Sequence, residues 1–466
     1  MKKDMLLALG IGLLLLLRPN VFAQPLPHHF SGIARAPDGT VTLILDGSVS
    51  NLIPGLTGMI SNQFMQMFDL YPVEASGNLT DWTRLDCLER TNNDPNPLLF
   101  RDENAASFSE RFYRTSTNLL VTGFPKPTGP FAVGTVSRIL TDASRSNRYG
   151  IRTNSSFMST FWYPTEPPKA GSIPSPYTDR AVAGDRNWYN FWGWPLAWTN
   201  VVAQCVTHAF PGTPLTSGTN RFPVILHSHG FTCDRTLHSY NAEELASHGY
   251  IVAAVDHEDC HATVFPDERG VRYVPPSISN VKGTLFSSRT NDLVYLLRTL
   301  EEIDAGDATL AGCLDLTRIG VMGHSMGGGT AAEICRLDSR VKCAALLDPF
   351  MFFNYGFNPG LNQQGLQKPF LSMNRTVLDH SNLLWDASGD SQRLYTLATH
   401  DATWLTITNT GHFAFSDWAW SVEMTSDSRR GAEAIKACLV WFFDTYLKGQ
   451  APPFPTNPEI INVRRK

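Results

Sequence analysis

A Gly-His-Ser-Met-Gly sequence at residues 323–327 constrains the fold of this chain more than any other feature. The apolar run Ile319 to Met322 precedes it, and a helix-forming stretch follows it. A serine between two glycines at a strand-to-helix junction is typical of a nucleophile elbow, in which a side chain at either glycine would collide. The turn also places the N–H of Met326 at a helix N-terminus, where it can face a developing oxyanion. The sequence therefore predicts Ser325 as a nucleophile; the alternative is a glycine-rich turn with an unreactive serine.

Strand-like and helical segments alternate between residues 123 and 450. This alternation predicts an α/β architecture with a mostly parallel sheet and helices on both of its faces. Together with the elbow at Ser325, it predicts an α/β-hydrolase fold. The clearest predicted strands are residues 157–163, 222–231, 250–256, 341–347, 369–373 and 404–407, and the clearest helices are 240–248, 281–303 and 431–447.

The segments on either side of this domain differ from it. Residues 24–122 contain short strands separated by turn residues, which predict a small β-sandwich-like all-β module. Part of it, "VEASGNLTDWTRL", resembles small β modules appended to many secreted bacterial proteins. A Pro/Gly-rich stretch at 123–130 predicts the domain boundary. Residues 451–466 are predicted to form a polar C-terminal tail.

The N-terminal residues have the pattern of an export signal. A positive start is followed by an apolar run from Met5 to Leu17 and by Val21-Phe22-Ala23 before Gln24. This run is shorter than the roughly 20 residues that span a membrane. We therefore expect residues 1–23 to be a cleaved signal peptide and the protein to be secreted or periplasmic; an uncleaved membrane anchor is the alternative.

A serine hydroxyl needs a base, and the base needs an orienting carboxylate. In an α/β-hydrolase the order along the chain is serine, acid, histidine. His412 follows the last clear strand in a glycine-flanked loop, whereas His380 and His400 follow no comparable strand end. The sequence therefore favours His412 as the base.

Two positions compete for the acid. Asp348 directly follows the strand after the elbow helix, where a carboxylate at a buried strand end needs a partner. Many α/β-hydrolases instead place the acid after the next strand. Spacing alone favours Asp348 and leaves the later positions open; these are Asp379, Asp386 and Asp390.

The oxyanion hole needs a second backbone N–H from the loop after an earlier strand. His229-Gly230-Phe231 ends a strand of the expected kind, and Gly230 allows the backbone to approach a substrate. The predicted donors are therefore the N–H groups of Phe231 and Met326.

Tryptophans are concentrated between residues 188 and 198. They are interpreted either as a packed insertion beside the sheet or as a pocket wall that receives an acyl or aryl group. On the second interpretation Trp188, Trp192 and Trp194 are candidate substrate-binding residues.

The loop after the strand at 250–256 carries several ligand-type side chains. We interpret His257, Glu258, Asp259 and His261 as a polar loop rim rather than a metal site, and no metal or organic cofactor is predicted. Cys233 and Cys260 end two loops of neighbouring strands, which raises the hypothesis of a disulfide between them.

Four stretches together resemble the plasma-type platelet-activating-factor acetylhydrolases, which are secreted α/β-hydrolases with phospholipase A2-type esterase activity. The stretches are "HSHGFTCDRTLHSYNAEELASHGYIVAAVDHEDCHAT", "GHSMGGGTA", "ALLDPF" and "GHFAFSDW". The resemblance spans roughly residues 129–447. It implies Ser325 as nucleophile, Asp348 as acid and His412 as base, with oxyanion donors at Phe231 and Met326.

Two features depart from that family. "GHSMGGG" is closer to bacterial cutinases and polyester hydrolases, and the aromatic insertion and N-terminal module differ from the plasma enzymes. Against a cutinase, no Asp-x-x-Ala-Pro segment follows the strand at 369–373. The departures leave the fold and the triad intact and put the substrate in question.

The residues and the resemblance together predict a secreted serine carboxylic-ester hydrolase with a Ser-His-Asp acyl-enzyme mechanism. The resemblance implies short or oxidised sn-2 acyl phospholipids as substrates, as for a 1-alkyl-2-acetylglycerophosphocholine esterase. A cutinase-like, polyester-hydrolase or dienelactone-hydrolase-like esterase is the alternative, and a non-catalytic binding protein is an alternative of another class. A small-molecule or lipid ester and a lipid surface are the candidate partners. A net charge of −5 without a basic block argues against nucleic acid.

Overall fold

The structure of the chain is a computed structural model. The described residues are 30–45, 68–91, 97–116, 123–145, 155–192, 196, 198–216, 221–265, 270–272, 284–353, 356–376, 387–421 and 426–466. The predicted signal peptide, residues 1–23, lies outside them. The described residues up to 116 belong to one compact unit, and those from 123 onward belong to a second.

The N-terminal unit consists of two antiparallel three-stranded sheets, in the strand orders β1-β2-β5 and β4-β3-β6. Leu43 of one sheet and Val73 of the other are fully buried in a shared apolar cluster, so the sheets pack face to face. The predicted small all-β domain is therefore confirmed. Its strands are β1 (Phe30–Arg35), β2 (Val41–Leu45), β3 (Phe68–Ser76), β4 (Thr83–Thr91), β5 (Leu98–Asp102) and β6 (Phe112–Thr115).

The C-terminal unit is built on a ten-stranded sheet in the order β18-β17-β16-β15-β14-β10-β11-β8-β7-β9. The six strands from β17 to β11 run parallel, and β8 and β18 flank them in the antiparallel direction. The strands are β7 (Ala132–Asp142), β8 (Ser155–Thr165), β9 (Ala209–Pro211), β10 (Phe222–Ser228), β11 (Ile251–Val255), β14 (Leu314–His324), β15 (Val341–Leu347), β16 (Phe370–Arg375), β17 (Ala402–Ile407) and β18 (Ile460–Arg465); a separate hairpin pairs β12 (Ala262–Val264) with β13 (Gly270–Arg272).

Helices connect these strands and cover the sheet, which confirms the predicted α/β-hydrolase architecture. The elbow helix begins at Met326, directly after the serine of the motif. The helices are α1 (Arg180–Ala183), α2 (Arg186–Trp192), α3 (Trp198–Gln204), α4 (Ser239–Ser247), α5 (Thr284–Gly306), α6 (Met326–Leu337), α7 (Pro359–Gln364), α8 (Ala387–Leu397), α9 (Trp418–Ser421) and α10 (Ser426–Tyr446).

Apolar side chains fill the space on both faces of this sheet. On one face α5 and α6 pack through residues such as Leu296 and Ile334. On the other face α4 and α10 pack through residues such as Leu245 and Phe443. Strands β10 and β11 are buried along their whole length, so they have continuous apolar sequences instead of the alternation expected of a half-exposed strand. This buried sheet holds the carboxyl ends of its parallel strands at one edge.

The segment predicted as a polar tail contains a strand. β18 pairs antiparallel with β17 and extends the sheet by one strand. The Arg464 guanidinium lies 4.9 Å from the ring centroid of Trp404, and the Lys466 ammonium binds the backbone carbonyl of Tyr395 at 2.8 Å. The basic residues that made this segment look like a solvated tail therefore contact the protein. No helix in the described part of the chain is long and apolar enough to cross a membrane.

Truncation of Phe443 tests the helix–sheet packing. The Phe443 ring is fully buried and packs directly on β14, the strand that leads to the elbow. A Cβ added to Gly320 of this strand would lie only 2.9 Å from the ring. Phe443→Ala should lower the free energy of unfolding by about 3–5 kcal/mol, measured by urea denaturation. Leu337→Ala, at a side chain that is 54% exposed, is the control and should change it by less than about 0.5 kcal/mol. Equal effects of the two changes would contradict this packing.

Candidate active site

The predicted elbow lies between β14 and α6, and its backbone has the expected strain. Ser325 has φ of +57°, a value that residues other than glycine rarely adopt. A Cβ on Gly323 would lie 2.1 Å from the carbonyl oxygen of Gly327, and one on Gly327 would lie 2.0 Å from that of Ser228. Both glycines are therefore required, as the sequence predicted.

Backbone hydrogen bonds hold Ser325 in this conformation. Its N–H donates to the carbonyl of Leu347 at 3.0 Å, and its own carbonyl accepts from the N–H of Phe350 at 2.8 Å. The elbow is thus bonded both to the end of β15 and to the loop that follows it. Because the neighbouring strand fixes the turn, the position of the serine does not depend on the elbow sequence alone.

Asp348 and His412 meet beside the elbow. Asp348 follows β15 and His412 lies after β17, and the Nδ1–H of His412 donates to Asp348 Oδ2 at 2.5 Å. Asp348 also accepts the N–H of Arg375 at 3.1 Å, and the guanidinium of Arg375 lies 3.2 Å from Oδ2. Burial tends to raise the pKa of Asp348, but the Arg375 charge and the His412 hydrogen bond outweigh it and hold the pKa well below its ordinary value. Asp348 is therefore an ionised partner for the imidazole at neutral pH.

The loop that carries His412 is fixed at two other points. The ring of His324, the residue before the serine, donates from Nε2 to the carbonyl of His412 at 3.0 Å. Asp417 donates its N–H to the carbonyl of Leu237 at 2.9 Å, and its carboxylate accepts the N–H of Tyr240 at 3.2 Å, at the start of α4. The histidine loop is thereby bonded to the elbow and to the segment that follows β10.

The two predicted oxyanion donors come from two separate segments, the start of α6 and the loop after β10. Met326 is the first residue of α6, so its N–H has no acceptor inside the helix. Phe231 follows β10, and its neighbour Gly230 approaches the elbow so closely that a Cβ there would lie 3.4 Å from Cβ of Ser325. A substrate carbonyl above the serine could therefore be approached by both loops.

An apolar, mainly aromatic cluster surrounds these groups. The Phe350 ring lies 5.0 Å from the His412 ring and 5.6 Å from that of Phe352, and Phe286 lies 5.7 Å from Phe352. We call this set the aromatic cluster; its members are Phe231, Leu285, Phe286, Met326, Phe350, Phe352 and Phe357. It gives the site an apolar, water-poor setting in which electrostatic interactions are stronger than in water.

The tryptophan-rich segment is only partly described. Trp194 and the side chain of Trp192 lie outside the described residues. Trp188 is buried, its ring stacks on that of His261 at 4.0 Å, and its Nε1–H donates to Thr232 Oγ1 at 3.4 Å. Trp188 therefore packs against the loop that carries Phe231, as a packed insertion would, and its substrate-binding role stays a prediction.

The interpretation of the loop after β11 as a polar rim is wrong for three of its four residues; Glu258 is partly exposed, and its carboxylate accepts from Ser155 and Ser288. His257, Asp259 and His261 are buried, because each pairs with charged or polar side chains from other elements. His257 binds Asp292 at 2.9 Å, Asp259 binds Arg289 at 2.6 Å, and His261 binds Asp185 at 3.3 Å. Within the described ranges no three His, Cys, Asp or Glu side chains are arranged to hold a metal ion.

The hypothesis of a disulfide between Cys233 and Cys260 is also wrong. Both side chains are thiols, and each is buried within its own loop. The Cys233 thiol donates to the carbonyl of Phe231 at 3.5 Å, and that of Cys260 donates to the carbonyl of Ala262 at 2.9 Å. Neighbouring strands bring the loops together, but each thiol bonds to a carbonyl of its own loop.

Sequence reasoning missed several residues of this site. Arg375 ends β16, next to the strand end that carries Asp348, so strand adjacency was the signal that could have found it. His324 was read only as the variable position of the elbow. Arg289 lies in the second turn of α5, and nothing in its sequence context indicates that its side chain reaches the loop after β10.

Comparisons with known proteins indicate the family of this chain. The family model for "Platelet-activating factor acetylhydrolase, isoform II" matches residues 118–270 and 287–422. A platelet-activating factor acetylhydrolase of Cavia porcellus is 30% identical over 271 residues, which cover 51% of this chain and 59% of that protein. The chain thus matches less than two thirds of that relative's length.

Two bacterial esterases are also similar. A bis(hydroxyethyl) terephthalate hydrolase of Streptomyces coelicolor is 26% identical over 193 residues, covering 39% of this chain and 52% of that protein. The solved structure of a ferulic acid esterase from Streptomyces cinnamoneus aligns with a TM-score of 0.58 and 26% identity, over 73% of this chain and 99% of the other.

Replacement of Arg375 tests how the buried Asp348 is stabilised. Arg375→Gln leaves a buried carboxylate without its guanidinium partner and should lower the free energy of unfolding by about 3–5 kcal/mol at pH 7. Because the folded pKa of Asp348 is depressed, its stabilising contribution exists above the unfolded pKa of about 4 and is lost as the pH falls. The gap between variant and wild type should therefore persist from pH 7 to about pH 4 and narrow below about pH 4, as measured by urea unfolding from pH 7 to about pH 2.5.

The control is the same change in an Asp348→Asn background. There the guanidinium has no carboxylate to neutralise, so Arg375→Gln should cost clearly less than in the wild type. Equal costs in both backgrounds would mean that Arg375 stabilises the fold through contacts other than Asp348.

Proposed function

Since this chain belongs to the family described as platelet-activating factor acetylhydrolase, isoform II, we propose that it is a serine ester hydrolase acting on phospholipids with short or oxidised sn-2 acyl chains. The observation that carries the proposal is the hydrogen bond between His412 and the buried, ionised Asp348, formed beside a strained serine on an elbow. This arrangement suits acyl transfer, because the serine needs a base and the base needs an oriented ring.

In the proposed mechanism the Oγ of Ser325 attacks the ester carbonyl while Nε2 of His412 takes its proton. Asp348 holds the Nδ1–H of the ring and stabilises the imidazolium that forms. The N–H groups of Phe231 and Met326 donate to the oxyanion of the tetrahedral intermediate. His412 then returns the proton to the leaving alcohol, and an acyl-enzyme remains. Water, deprotonated by His412, attacks the acyl-enzyme; the acid is released and the proton returns to Ser325.

A second candidate function is hydrolysis of esters whose acyl group is aromatic. The aromatic cluster favours it, since the Phe350 ring packs edge-to-face with His412 and stacks on the ring of Phe352. Flat aromatic groups pack well against such rings. The two Streptomyces relatives are named for terephthalate and ferulic acid, which are aromatic acids. Their names support the aromatic-acyl candidate, as the family name supports the phospholipid candidate.

The proposal also covers where the protein acts, which is inferred from the N-terminal sequence and from the proposed substrate. The pattern of residues 1–23 supports export, and the phospholipid substrate implies work at a lipid surface. A non-catalytic binding protein is disfavoured because a binding role does not require an ionised carboxylate held against a histidine at an elbow.

Loss of the serine tests the mechanism. Ser325→Ala should lower kcat for p-nitrophenyl acetate by on the order of 10⁴-fold, because no other group can form the acyl-enzyme. Wild type should react with a fluorophosphonate probe, detected as a mass shift on the peptide that contains Ser325. Ser172→Ala, in a turn far along the chain from the elbow, is the matched control and should keep both properties. Unchanged activity of Ser325→Ala would refute the mechanism.

An acyl-chain profile separates the two candidate substrates. For the phospholipid esterase, turnover of a 2-acetyl phospholipid should exceed that of the same lipid with a long sn-2 chain by at least about tenfold, because a confined acyl site discriminates by size. For the aromatic-acyl esterase, methyl ferulate should be turned over and the 2-acetyl phospholipid should not. Initial rates with purified protein at matched ester concentrations give the comparison, and Ser325→Ala provides the blank.

A further inference from the structure

We propose that His229 is a positioning residue that aims the N–H of Phe231 at the oxyanion by holding the carbonyl of Gly230. His229 lies between β10 and the loop that carries Phe231, and its side chain is fully buried. The inference rests on the proposed function, because it concerns the oxyanion of that reaction. It adds a residue whose imidazole acts without touching the substrate.

The hydrogen bonds of His229 fix which ring nitrogen carries the proton. Nδ1 lies 2.6 Å from the carbonyl oxygen of Gly230, which can only accept, so Nδ1 must carry a hydrogen. The backbone N–H of His257 lies 3.0 Å from Nε2 and can only donate, so Nε2 must offer its lone pair. The ring is therefore neutral and in the Nδ1–H form. Burial, reinforced by the positive charge of Arg289, lowers the pKa of His229 well below its ordinary value, in agreement.

The hydrogen bond from His229 to the Gly230 carbonyl also orients the N–H of Phe231, because both groups belong to the same peptide bond. The C=O of Gly230 and the N–H of Phe231 belong to one planar trans peptide group, so they point in opposite directions. When His229 holds the oxygen on one side, the N–H must point to the other. A glycine before this peptide makes a flip of the whole group inexpensive, so an orienting contact is needed here.

Buried charges fix the backbone on both sides of this peptide group. The Arg289 guanidinium donates to the carbonyl of His229, the residue before Gly230. It also donates to both oxygens of Asp259 at 2.6 Å, and Asp259 accepts the N–H of Thr232 at 3.4 Å. Arg289 comes from α5, so the loop is anchored to the helix layer. The Gly230 carbonyl also accepts the N–H of Cys233 at 3.2 Å, so this backbone turn and the His229 ring together restrict rotation of the Gly230–Phe231 peptide.

The partner of His229 is itself fixed by a buried triad. His257 binds Asp292 through Nδ1 at 2.9 Å and Ser228 Oγ through Nε2 at 2.8 Å. These are the same three residue types as in the proposed catalytic triad, but Ser228 is completely buried at the end of β10, where no substrate can reach it. This second triad therefore anchors His257, whose backbone N–H in turn fixes the ring of His229.

Two substitutions separate the proposed contact from a general structural role. In His229→Asn the side-chain amide takes the place of Nδ1 and can still donate to Gly230. In His229→Gln the amide takes the place of Nε2 and can accept from His257, but the side chain offers no donor to the Gly230 carbonyl, which keeps only the N–H of Cys233. We expect kcat for p-nitrophenyl acetate to fall by less than about 10-fold in the Asn variant and by about 10²–10³-fold in the Gln variant, with KM little changed in both.

Two further measurements exclude loss of stability as the cause. Affinity for a trifluoromethyl ketone, which forms an oxyanion adduct with the serine, should fall in proportion to kcat. The urea midpoints of the two variants should agree within the error of the measurement. Equal kcat values in the two variants, or a loss confined to KM, would overturn the proposal.

A spectroscopic measurement reads the hydrogen bond without using activity. In wild type labelled with ¹⁵N-histidine, the signals that disappear in His229→Asn should report a neutral Nδ1–H ring from pH 5 to pH 8. An Nε2–H ring would overturn the inference even if the protein is an active esterase. A wild type without esterase activity or fluorophosphonate labelling would overturn the proposed function, and the inference about its oxyanion with it.

Discussion

The site depends on a buried carboxylate that stays ionised. Asp348 is removed from water at the end of β15, which by itself would favour its neutral form. Arg375, at the end of the adjacent strand, supplies the opposing charge, and His412 supplies a hydrogen bond. An ionised Asp348 accepts the Nδ1–H of His412 and leaves the lone pair on Nε2, which the proposed role of base requires. The parallel sheet makes this possible, because it brings the carboxyl ends of three strands to one edge.

Around this carboxylate, polar groups connect loops that are far apart in sequence. His324 bonds the histidine loop to the elbow, and Asp417 bonds it to the start of α4. Arg289 and Asp259 bond the loop after β10 to α5. Buried polar groups are costly unless they are paired, so each of these contacts also penalises a displaced loop. The same contacts that satisfy buried groups therefore hold the proposed base and oxyanion donor in place.

Family membership bears on the reaction, and the aromatic cluster bears on which acyl group the site accepts. Family membership indicates the fold and the class of reaction. The similar proteins are named for different substrates, namely platelet-activating factor, bis(hydroxyethyl) terephthalate and ferulic acid. The aromatic cluster borders His412 and the elbow, so the acyl group is where the two candidate substrates differ most. Both a short acetyl group and a flat aryl group can pack against the aromatic cluster. The acyl-chain profile therefore distinguishes the two candidate substrates.

The sequence by itself determined the features that depend on local order. The elbow glycines, the alternation of strands and helices, and the strand-end positions of Ser325, Asp348 and His412 all follow from short stretches of chain. Tertiary structure decided which side chains from distant elements meet. Arg375, Arg289 and the buried partners of His257 come from other strands and helices, and no local pattern marks them. The side chains of His257, Asp259 and His261, which the sequence suggested were a polar rim, are buried and paired with residues of other elements. A side chain's surroundings depend on the whole fold, and its sequence neighbours specify only a part of them.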